Sequence, residues 1–587
     1  MPWFKRSATT ARETVAASLV TTPSQTPSAP EHLVERLDGG TDVALLTHAI
    51  GVDFGTSTTL VAEGRRGRLP LVFPVGTRGT SWLPSLIGVA GDGALVVGEA
   101  AADLPVERLR RSIKRAITKR QTEIDIDGIP VSVDGGIRQL LNELAFRARD
   151  DLDLDPGVVR LGCPAMWTGD QRKRLLEVAR SAGLPVDDHT LIDEPIAAGV
   201  AWVNSRMARS GQGVRGQLLV FDMGGGTLDV AVLDVRADLG HEPEISVLSS
   251  WGVDEAGDAL DEALAGELEQ QLRDMGHDVD DLPMAAGVRA MIRQAAKEAK
   301  ERLSHDLDTQ VAIRHPDAEL PTLSLSQEQV DTAIRDQLTR ATHLVWAVLR
   351  GAQVTHEVAK APDEIRAIPL ETLAEEVDFV LLAGGMSRVP SVARMLASLF
   401  PHAEISSDAG VASDEAIVAG LAETASYERV NLHRPPFHFV LEYEDKDGVE
   451  HATSVYEAHS PFYPPYQAMQ RSSLYYEWRP PRGALPAVGA GLVSVFTAGG
   501  ERARLSIDGA DGDGFVLRFG PNPPAVLIYP NGRVLIVDGK GSRTEFLVPR
   551  WPVIRGKDHA VLYANKRGDS RAPLVERSWM KDPLFLH

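Results

Sequence analysis

One glycine-rich stretch, residues 217–234, constrains the fold of this chain more than any other segment. It contains two short apolar runs, Leu218–Phe221 and Val230–Leu233, of the kind that buried strands show. Carboxylates, a hydroxyl group and three consecutive glycines lie between the runs: Asp222, Gly224, Gly225, Gly226, Thr227 and Asp229. Glycine lets the main chain approach a ligand closely, so the N–H groups of such a turn can converge on a phosphate. Alone, the pattern is equally typical of an ordinary hairpin with a tight turn.

A second segment, residues 49–62, repeats this design. One apolar run ends at Asp53 and is followed by Gly55, Thr56 and Ser57. A second apolar run comes next. The two aspartates lie 169 residues apart (222 minus 53). This repeat predicts two similar lobes, each of which contributes one phosphate-binding turn to a shared cleft.

Five further segments follow in a specific order. They are Ile113–Arg115, Cys163–Leu184, Ile192–Ala198, Leu381–Pro390 and Ser413–Gly420. Each is weak evidence alone, but the ordered set resembles the ATPase domain of the seventy-kilodalton heat-shock chaperones, within the actin, hexokinase and chaperone superfamily. The resemblance covers roughly residues 48–425. It implies an α/β fold, an actin-like ATPase with duplicated RNase H-like lobes.

The predicted domain order begins with a disordered tail at residues 1–45, because the segment 21–30 is of low complexity. ATPase lobe I is predicted at 46–204 and lobe II at 205–428. A helix is predicted over residues 286–303 in the second lobe, from its alanines, charge pairs and apolar stripe.

A separate β-rich domain is predicted at residues 433–587. All nine tyrosines of the chain lie at or beyond Tyr427, so the composition changes abruptly there. The turn sequences Asp447-Gly448, Tyr529–Arg533 and Asp538-Gly539 predict hairpins. This region does not resemble the substrate-binding domain of the chaperones, since neither the short acidic and leucine-rich linker nor a long helical lid is present in the sequence.

The sequence has no Gly-x-x-x-x-Gly-Lys-Ser/Thr loop, so a bound phosphate would depend on the two glycine turns. The resemblance implies ATP with Mg²⁺ as ligands. Asp53 and Asp222 would hold Mg²⁺ through water, since Mg²⁺ dehydrates reluctantly. Lys114 would offset charge at the γ-phosphate, while Glu194 and Thr227 would orient the attacking water. The residues expected to cradle the phosphates are Gly55, Thr56, Ser57, Gly224, Gly225, Gly226 and Thr227.

The resemblance also assigns residues to the nucleoside. Those expected there are Lys300, Ser304, Gly384, Gly385 and Arg388, with Asp414 connecting the lobes. The chain departs from the family pattern at Lys297, where the family has an acid, and at Glu301, where it has an arginine. Both departures concern the ribose and adenine contacts and leave the phosphate site unchanged.

Charge and composition exclude several classes of partner. The formal net charge of −21 argues against nucleic acid or an anionic membrane as the main partner, because both require basic surface. Cys163 is the only cysteine, so an intrachain disulfide framework is impossible. No apolar run approaches the ~20 residues of a membrane helix, and a cytoplasmic location is expected.

The leading functional hypothesis is a chaperone-like ATPase with slow hydrolysis. Closure of its lobes around ATP would change how the C-terminal domain binds a protein partner. A nucleotide-dependent regulatory or scaffold protein with little turnover is the main alternative. A filament-forming or sugar-kinase relative is disfavoured by the chaperone-like residues at 192–198 and 383–390.

Overall fold

The computed structural model describes thirteen segments of the chain. They are residues 48–77, 79–149, 158–186, 190–239, 244–314, 319–355, 362–423, 428–431, 434–462, 475–498, 500–529, 532–548 and 561–567. The tail predicted at residues 1–45 lies outside them. The fold is α/β, with two lobes followed by a β-rich region, as the sequence predicts.

Among the described residues, the first lobe has eleven strands, six of which form one mixed sheet, while three form a second sheet and two form a hairpin. Its strands are β1 (His48–Phe54), β2 (Thr58–Arg65), β3 (Leu71–Val72), β4 (Trp82–Pro84), β5 (Ile87–Val89), β6 (Leu95–Val97), β7 (Leu109–Arg110), β8 (Glu123–Ile126), β9 (Ile129–Ser132), β10 (Val158–Cys163) and β11 (Leu191–Asp193). Its helices are α1 (Glu99–Ala102), α2 (Lys114–Thr118), α3 (Val133–Arg149), α4 (Gly169–Ser181) and α5 (Glu194–Ser210), with a 3₁₀ turn at Val106–Arg108. The sheet order is β11-β10-β1-β2-β3, with β4 also paired to β2. Strands β1 and β2 are buried over nearly their whole length, which explains why they read as continuous apolar runs.

The second lobe repeats this arrangement. Its strands are β12 (Val214–Met223), β13 (Leu228–Ala237), β14 (Glu244–Val253), β15 (Asp308–Val311), β16 (Leu323–Ser326), β17 (Phe379–Ala383), β18 (Glu404–Ser406) and β19 (Glu428–Asn431). Its helices are α6 (Gly257–Asp274), α7 (Ala285–Arg302), α8 (Gln327–Ala333), α9 (Arg335–Thr355), α10 (Pro362–Ala367), α11 (Leu370–Glu375), α12 (Pro390–Leu399) and α13 (Ala416–Leu421), with 3₁₀ turns at Val279–Asp281 and Gly385–Arg388. The sheet order is β18-β17-β12-β13-β14-β19. In both lobes an antiparallel hairpin lies beside a parallel strand: β1-β2 with β10, and β12-β13 with β17.

Two helices, α5 and α13, cross where the lobes meet. A Cβ atom on Gly420 of α13 would overlap the carbonyl of Ala197 on α5, so only glycine permits this approach. Gly51 of β1 is equally constrained, because its Cβ would lie 2.7 Å from the Ala422 nitrogen. The crossing therefore ties the sheet of the first lobe to the last helix of the second.

Two predicted boundaries fall inside secondary structure. The first lobe was expected to end at residue 204, but α5 continues to Ser210. The second lobe was expected to end at residue 428, but β19 pairs in parallel with β14 and extends that sheet to Asn431. The helix predicted over 286–303 is confirmed as α7, shifted by one residue.

The C-terminal region is confirmed as β-rich. Its strands are β20 (Phe437–Glu444), β21 (Glu450–Tyr456), β22 (Tyr476–Trp478), β23 (Ala490–Thr497), β24 (Arg504–Ile507), β25 (Ala510–Gly512), β26 (Phe515–Arg518), β27 (Ala525–Ile528), β28 (Arg533–Val537), β29 (Arg543–Leu547) and β30 (Val561–Arg567). They form a four-stranded sheet, β21-β20-β23-β26, and a seven-stranded sheet, β22-β27-β28-β29-β30-β24-β25. Buried residues of both sheets form one apolar core. The three predicted turns connect β20 to β21, β27 to β28 and β28 to β29.

Within the thirteen described segments, no helix is both long enough and apolar enough to cross a membrane.

Candidate functional site

The two glycine turns have the same backbone geometry. In the first lobe, the Gly55 N–H donates to the Thr58 carbonyl at 2.9 Å, closing the turn between β1 and β2. In the second lobe, the Gly224 N–H donates to the Thr227 carbonyl at 3.0 Å, closing the turn between β12 and β13. Asp53 and Asp222 each occupy the last position but one of their strands. The two lobes therefore present the same functional groups in the same order.

The turns face each other across the cleft between the lobes. A Cβ atom on Gly225 would overlap the Ser57 hydroxyl, and one on Gly226 would lie 2.8 Å from Thr56 Oγ1. The backbone of the second turn therefore lies directly against the side chains of the first. This arrangement brings the predicted phosphate-binding residues of both lobes together.

Each turn is supported by a neighbouring element. The buried Ser85, which follows β4, donates from its hydroxyl to the Gly55 carbonyl at 2.8 Å. At the start of α6, the Gly257 N–H donates to the Gly224 carbonyl at 3.1 Å, and the Asp258 N–H donates to the Gly225 carbonyl at 2.6 Å. These bonds fix the turns before any ligand arrives.

Three buried carboxylates lie beside the turns. Asp53 is 5% exposed, Asp222 is 4% exposed and Asp229 is fully buried. Among the described residues, one oxygen of each has no hydrogen-bond partner: Asp53 Oδ1, Asp222 Oδ1 and Asp229 Oδ2. A buried acceptor without a donor is costly, so this geometry suits a cationic or proton-donating ligand.

Burial and mutual repulsion raise the pKa of all three carboxyls. Burial, followed by the charge of Glu194, raises the pKa of Asp53 to about 7 and that of Asp229 to about 7. The pKa of Asp222 lies well above its ordinary value for the same two reasons. Such clusters of perturbed carboxyls are typical of functional sites.

Lys114 and Glu194 form a buried ion pair at the centre of the site. They are the first residues of α2 and α5, and their side chains are 4% and 6% exposed. Burial lowers the pKa of Lys114, but the charges of Glu194 and Asp53 outweigh it, so the pKa is raised. The ammonium also lies 5.9 Å from the Phe54 ring centroid and 6.0 Å from that of Trp167. Lys114 is therefore a fixed cation next to the turns.

The predicted nucleoside residues form two groups. Lys300 of α7 pairs with Asp261 of α6 at 2.6 Å, and the Ser304 hydroxyl donates to the Lys300 carbonyl at 3.3 Å. Gly384 adopts a φ of +76°, and an added Cβ would lie 2.6 Å from Asp222 Oδ1. The 3₁₀ turn that begins at Gly385 therefore starts beside the glycine turn of the second lobe. Lys300, Gly384 and Gly385 thus border the same end of the cleft.

Arg388 and Asp414 pair with each other at 2.5 Å, and their side chains are 49% and 37% exposed. Asp414 precedes α13, the helix that crosses onto the first lobe. The structure therefore brings these two predicted residues together near the crossing of the lobes.

Residues of the first lobe also bind the second lobe directly. Arg115, which follows Lys114 on α2, donates through both Nε and Nη2 to Asp254, at 3.0 and 3.2 Å. The Ser112 hydroxyl donates to Asp258 at 2.8 Å. These bonds close the cleft above the turns.

Two further residues complete the site. The sequence analysis names Asp229 only as a carboxylate beside the glycines and gives it no specific role; in the structure it accepts a hydrogen bond from the Ala165 N–H at 3.0 Å. Ser85 lies 30 residues from Gly55 in the sequence, and no local pattern links it to the first turn.

Asp229→Asn is expected to stabilise the ligand-free protein at neutral and alkaline pH. Its folded pKa of about 7 exceeds the ordinary value of 3.8, so the unfolded chain releases this proton first as pH rises. The folded state therefore loses stability between pH 4 and 7, and this loss disappears in the asparagine variant. A gain of about 1–3 kcal/mol at pH 8, shrinking towards pH 5, is expected in denaturant titrations. Asp234→Asn on the same strand is the control; a gain for Asp229→Asn that does not depend on pH would contradict the assignment.

The fold and the cleft define a class of protein: a two-lobed α/β protein in which each lobe contributes one glycine turn to the cleft. Comparison with known proteins agrees, since the family model described as Hsp70 protein matches residues 49–429. The chain belongs to the Hsp70 family.

Curated relatives carry the name chaperone protein DnaK. That of Thermosipho africanus is 28% identical over 385 residues, which is 65% of this chain and 59% of the relative. That of Thermosipho melanesiensis is 26% identical over 380 residues, 64% of this chain and 59% of the relative. That of Thermotoga petrophila is 27% identical over 378 residues, 63% of this chain and 59% of the relative. These matches thus span about three fifths of each relative's length.

Proposed function

We propose that this protein binds ATP with Mg²⁺ between its lobes, hydrolyses it slowly and couples the nucleotide state to its C-terminal β domain. The observation that carries this proposal is the pair of facing glycine turns, with three unpartnered carboxylate oxygens and the Lys114–Glu194 pair beside them. Calorimetry with Mg·ATP and a single-turnover hydrolysis assay on the full-length protein test it. Absence of ATP binding would overturn it.

The donor set fits a hydrated magnesium ion. In the described residues no group of three or more His, Cys, Asp or Glu side chains could hold a metal ion, so a metal here needs other ligands. Mg²⁺ usually keeps several waters and binds through one or two carboxylates plus substrate phosphates. The unpartnered oxygens of Asp53 and Asp222 suit such a site, and magnesium would neutralise charge on the phosphates.

The residues around the phosphates have distinct proposed roles. The N–H groups of Gly55 to Ser57 and of Gly224 to Thr227 would hold the β- and γ-phosphates. Lys114 would offset the charge that develops on the transferring phosphoryl group. Glu194 and the Thr227 hydroxyl would orient water, and Asp229, with a pKa near 7, is suited to accept its proton. The nucleoside would be contacted by Lys300, Ser304, Gly384, Gly385 and Arg388. Asp414 would connect these residues to the crossing of the two lobes.

Coupling to the β domain is supported by its contacts with both lobes. Ile365 on α10 of the second lobe is 2% exposed and packs in the same apolar cluster as Phe437 and Phe439 of β20. On the first lobe, the Asp170 N–H donates to Glu457 of the β domain at 3.0 Å. A rotation between the lobes must therefore strain one of these contacts. We infer that a protein partner of the β domain would sense that change.

Trypsin cleavage after Arg429 is expected to proceed at different rates in ATP and in ADP. Arg429 lies on β19, the last described strand before the β domain, so lobe closure should change how readily the backbone of this strand is cleaved. A ligand shifts such an equilibrium only through its differential affinity for the two states. Quantifying fragments by mass spectrometry gives the test, with cleavage at the exposed Arg482 as the internal control. Identical rates at Arg429 in both nucleotides would argue for a static scaffold.

A nucleotide-dependent regulatory or scaffold protein with little turnover is the second candidate. The observation that favours it is the direct pairing of Lys114 with Glu194, which occupies both groups needed for hydrolysis. The single-turnover assay separates the two candidates, because a scaffold would bind ATP with no measurable conversion to ADP.

A further inference from the structure

The β domain contacts the first lobe at a short segment, residues 165–170, that begins inside the candidate site. A Cβ atom on Gly169 would lie 3.0 Å from the Ala458 carbonyl and 3.1 Å from His438 Cε1, so the β domain packs closely against this glycine. The Asp170 bond to Glu457 lies at the same place, in the first turn of α4. The two domains are therefore in direct contact where α4 begins.

The side chain of Arg434 is buried in this interface. Although charged, it is only 1% exposed. Its guanidinium donates to the carbonyls of Ala165 and Trp167 in the first lobe, the latter at 3.3 Å. It also donates to the His459 carbonyl of the β domain, at 2.7 and 2.9 Å. Arg434 thus holds one segment from each domain in a fixed relation.

Both first-lobe residues held by Arg434 also touch reactive groups of the site. The N–H of Ala165 donates to Asp229 Oδ1 at 3.0 Å. The buried indole of Trp167 lies 6.0 Å from the Lys114 ammonium, and its N–H donates to Thr118 at 3.0 Å on the helix that begins with Lys114. A shift of residues 165–167 would therefore move groups that contact both Asp229 and Lys114.

We propose that Arg434 is a positioning residue for ATP hydrolysis: the β domain completes the site by fixing residues 165–167 against Asp229 and Lys114. This inference rests on the proposed function. Arg434 lies beyond residues 49–429, the part of the chain that the family model matches. The Trp167 carbonyl also accepts from Arg172 Nε at 2.9 Å, so the loss of Arg434 should affect Ala165 more than Trp167. Hydrolysis is sensitive to such shifts, since a displacement of about 1 Å can cost ~100-fold in rate.

The test compares three variants of the full-length protein. Arg434→Ala removes all the guanidinium bonds, and Arg434→Lys keeps a cation that can reach one carbonyl. Glu457→Ala removes a bond of the same interface that does not involve residues 165–167. For each variant, calorimetry gives the Kd for Mg·ATP and a single-turnover assay gives the hydrolysis rate.

Arg434→Ala is expected to hydrolyse ATP about 10- to 100-fold more slowly than wild type, with its Kd for ATP changed less than about threefold. Arg434→Lys should recover part of the rate, and Glu457→Ala should stay within about twofold of wild type. This separation between rate and affinity distinguishes positioning from a general loss of structure, which would weaken binding as well.

Three results would overturn the inference. An unchanged rate for Arg434→Ala would show that residues 165–167 hold their place without it. Equal losses of hydrolysis rate in Arg434→Ala and Glu457→Ala would show that the effect comes from the contact between the two domains in general and not from Arg434 itself. If Arg434→Ala does not fold, a wild-type rate for Arg434→Lys would overturn it. Failure of the wild-type protein to hydrolyse ATP, by contrast, would remove the proposed function itself.

Discussion

Lys114→Ala is expected to bind ATP but to hydrolyse it ~10²–10³ times more slowly in a single turnover. Removing one positioned charge or hydrogen-bond donor from a water-poor active site typically costs this much. Lys114 is 3% exposed and lies among three buried carboxylates, where no other described cation is held against Glu194. Its loss should therefore leave the developing phosphoryl charge without its nearest compensation. Rapid quench with radiolabelled ATP measures the rate, and calorimetry measures the affinity.

The control for this variant is Lys119→Ala. Lys119 caps the same helix at its exposed end, so its removal alters the local charge without touching the cleft. Lys114→Ala also leaves Glu194 buried without its partner, which typically costs about 3–5 kcal/mol of stability. The free energy of unfolding must therefore be measured in parallel. The double variant Lys114→Ala with Glu194→Gln serves as a further control, because it removes both charges of the buried pair. Equal hydrolysis rates for Lys114→Ala and Lys119→Ala would remove Lys114 from the catalytic assignment.

The two glycine turns and their flanking strands could be predicted from sequence because the pattern that encodes them is local. Asp222 and the three glycines that begin two residues later lie within one hairpin, so strand, turn and ligand group are encoded together. The repeat around Asp53 then implied two lobes, and the two sheets have the predicted equivalence. The three hairpins of the C-terminal region were predictable for the same reason, since turn residues determine them directly.

Contacts between distant segments could not be predicted in this way. Lys114 and Glu194 are 80 residues apart, and the family resemblance suggested both residues but not their direct pairing. The insertion of Arg434 between Ala165 and His459 has no local signal, because an arginine beside two prolines reads as an ordinary linker residue. The boundary of the first lobe was predicted at residue 204, whereas α5 continues to Ser210, because packing against β12 and β13 keeps the helix continuous.

Gly225→Val is expected to weaken ATP binding by about 100-fold or more. A Cβ atom at this position would overlap the Ser57 hydroxyl of the opposite turn, and the two further methyl groups of valine would fill the space where a phosphate must approach. Loss of two charge-assisted hydrogen bonds, at about 1.5–3 kcal/mol each, would weaken binding by roughly this amount or more. The glycine lies in a turn at the surface of the cleft, so no apolar core is disturbed by the change.

The matched control is Gly266→Val, the same substitution at an exposed position of α6, where an added Cβ would meet no atom outside the local helix backbone within 4 Å. It introduces the same β-branched side chain, and any general cost of the substitution should appear there. Calorimetry and near-ultraviolet circular dichroism on both variants then separate loss of binding from loss of folding. If Gly225→Val is folded and binds ATP as tightly as Gly266→Val, the two facing turns do not form the nucleotide site, and the proposed function loses the observation that carries it.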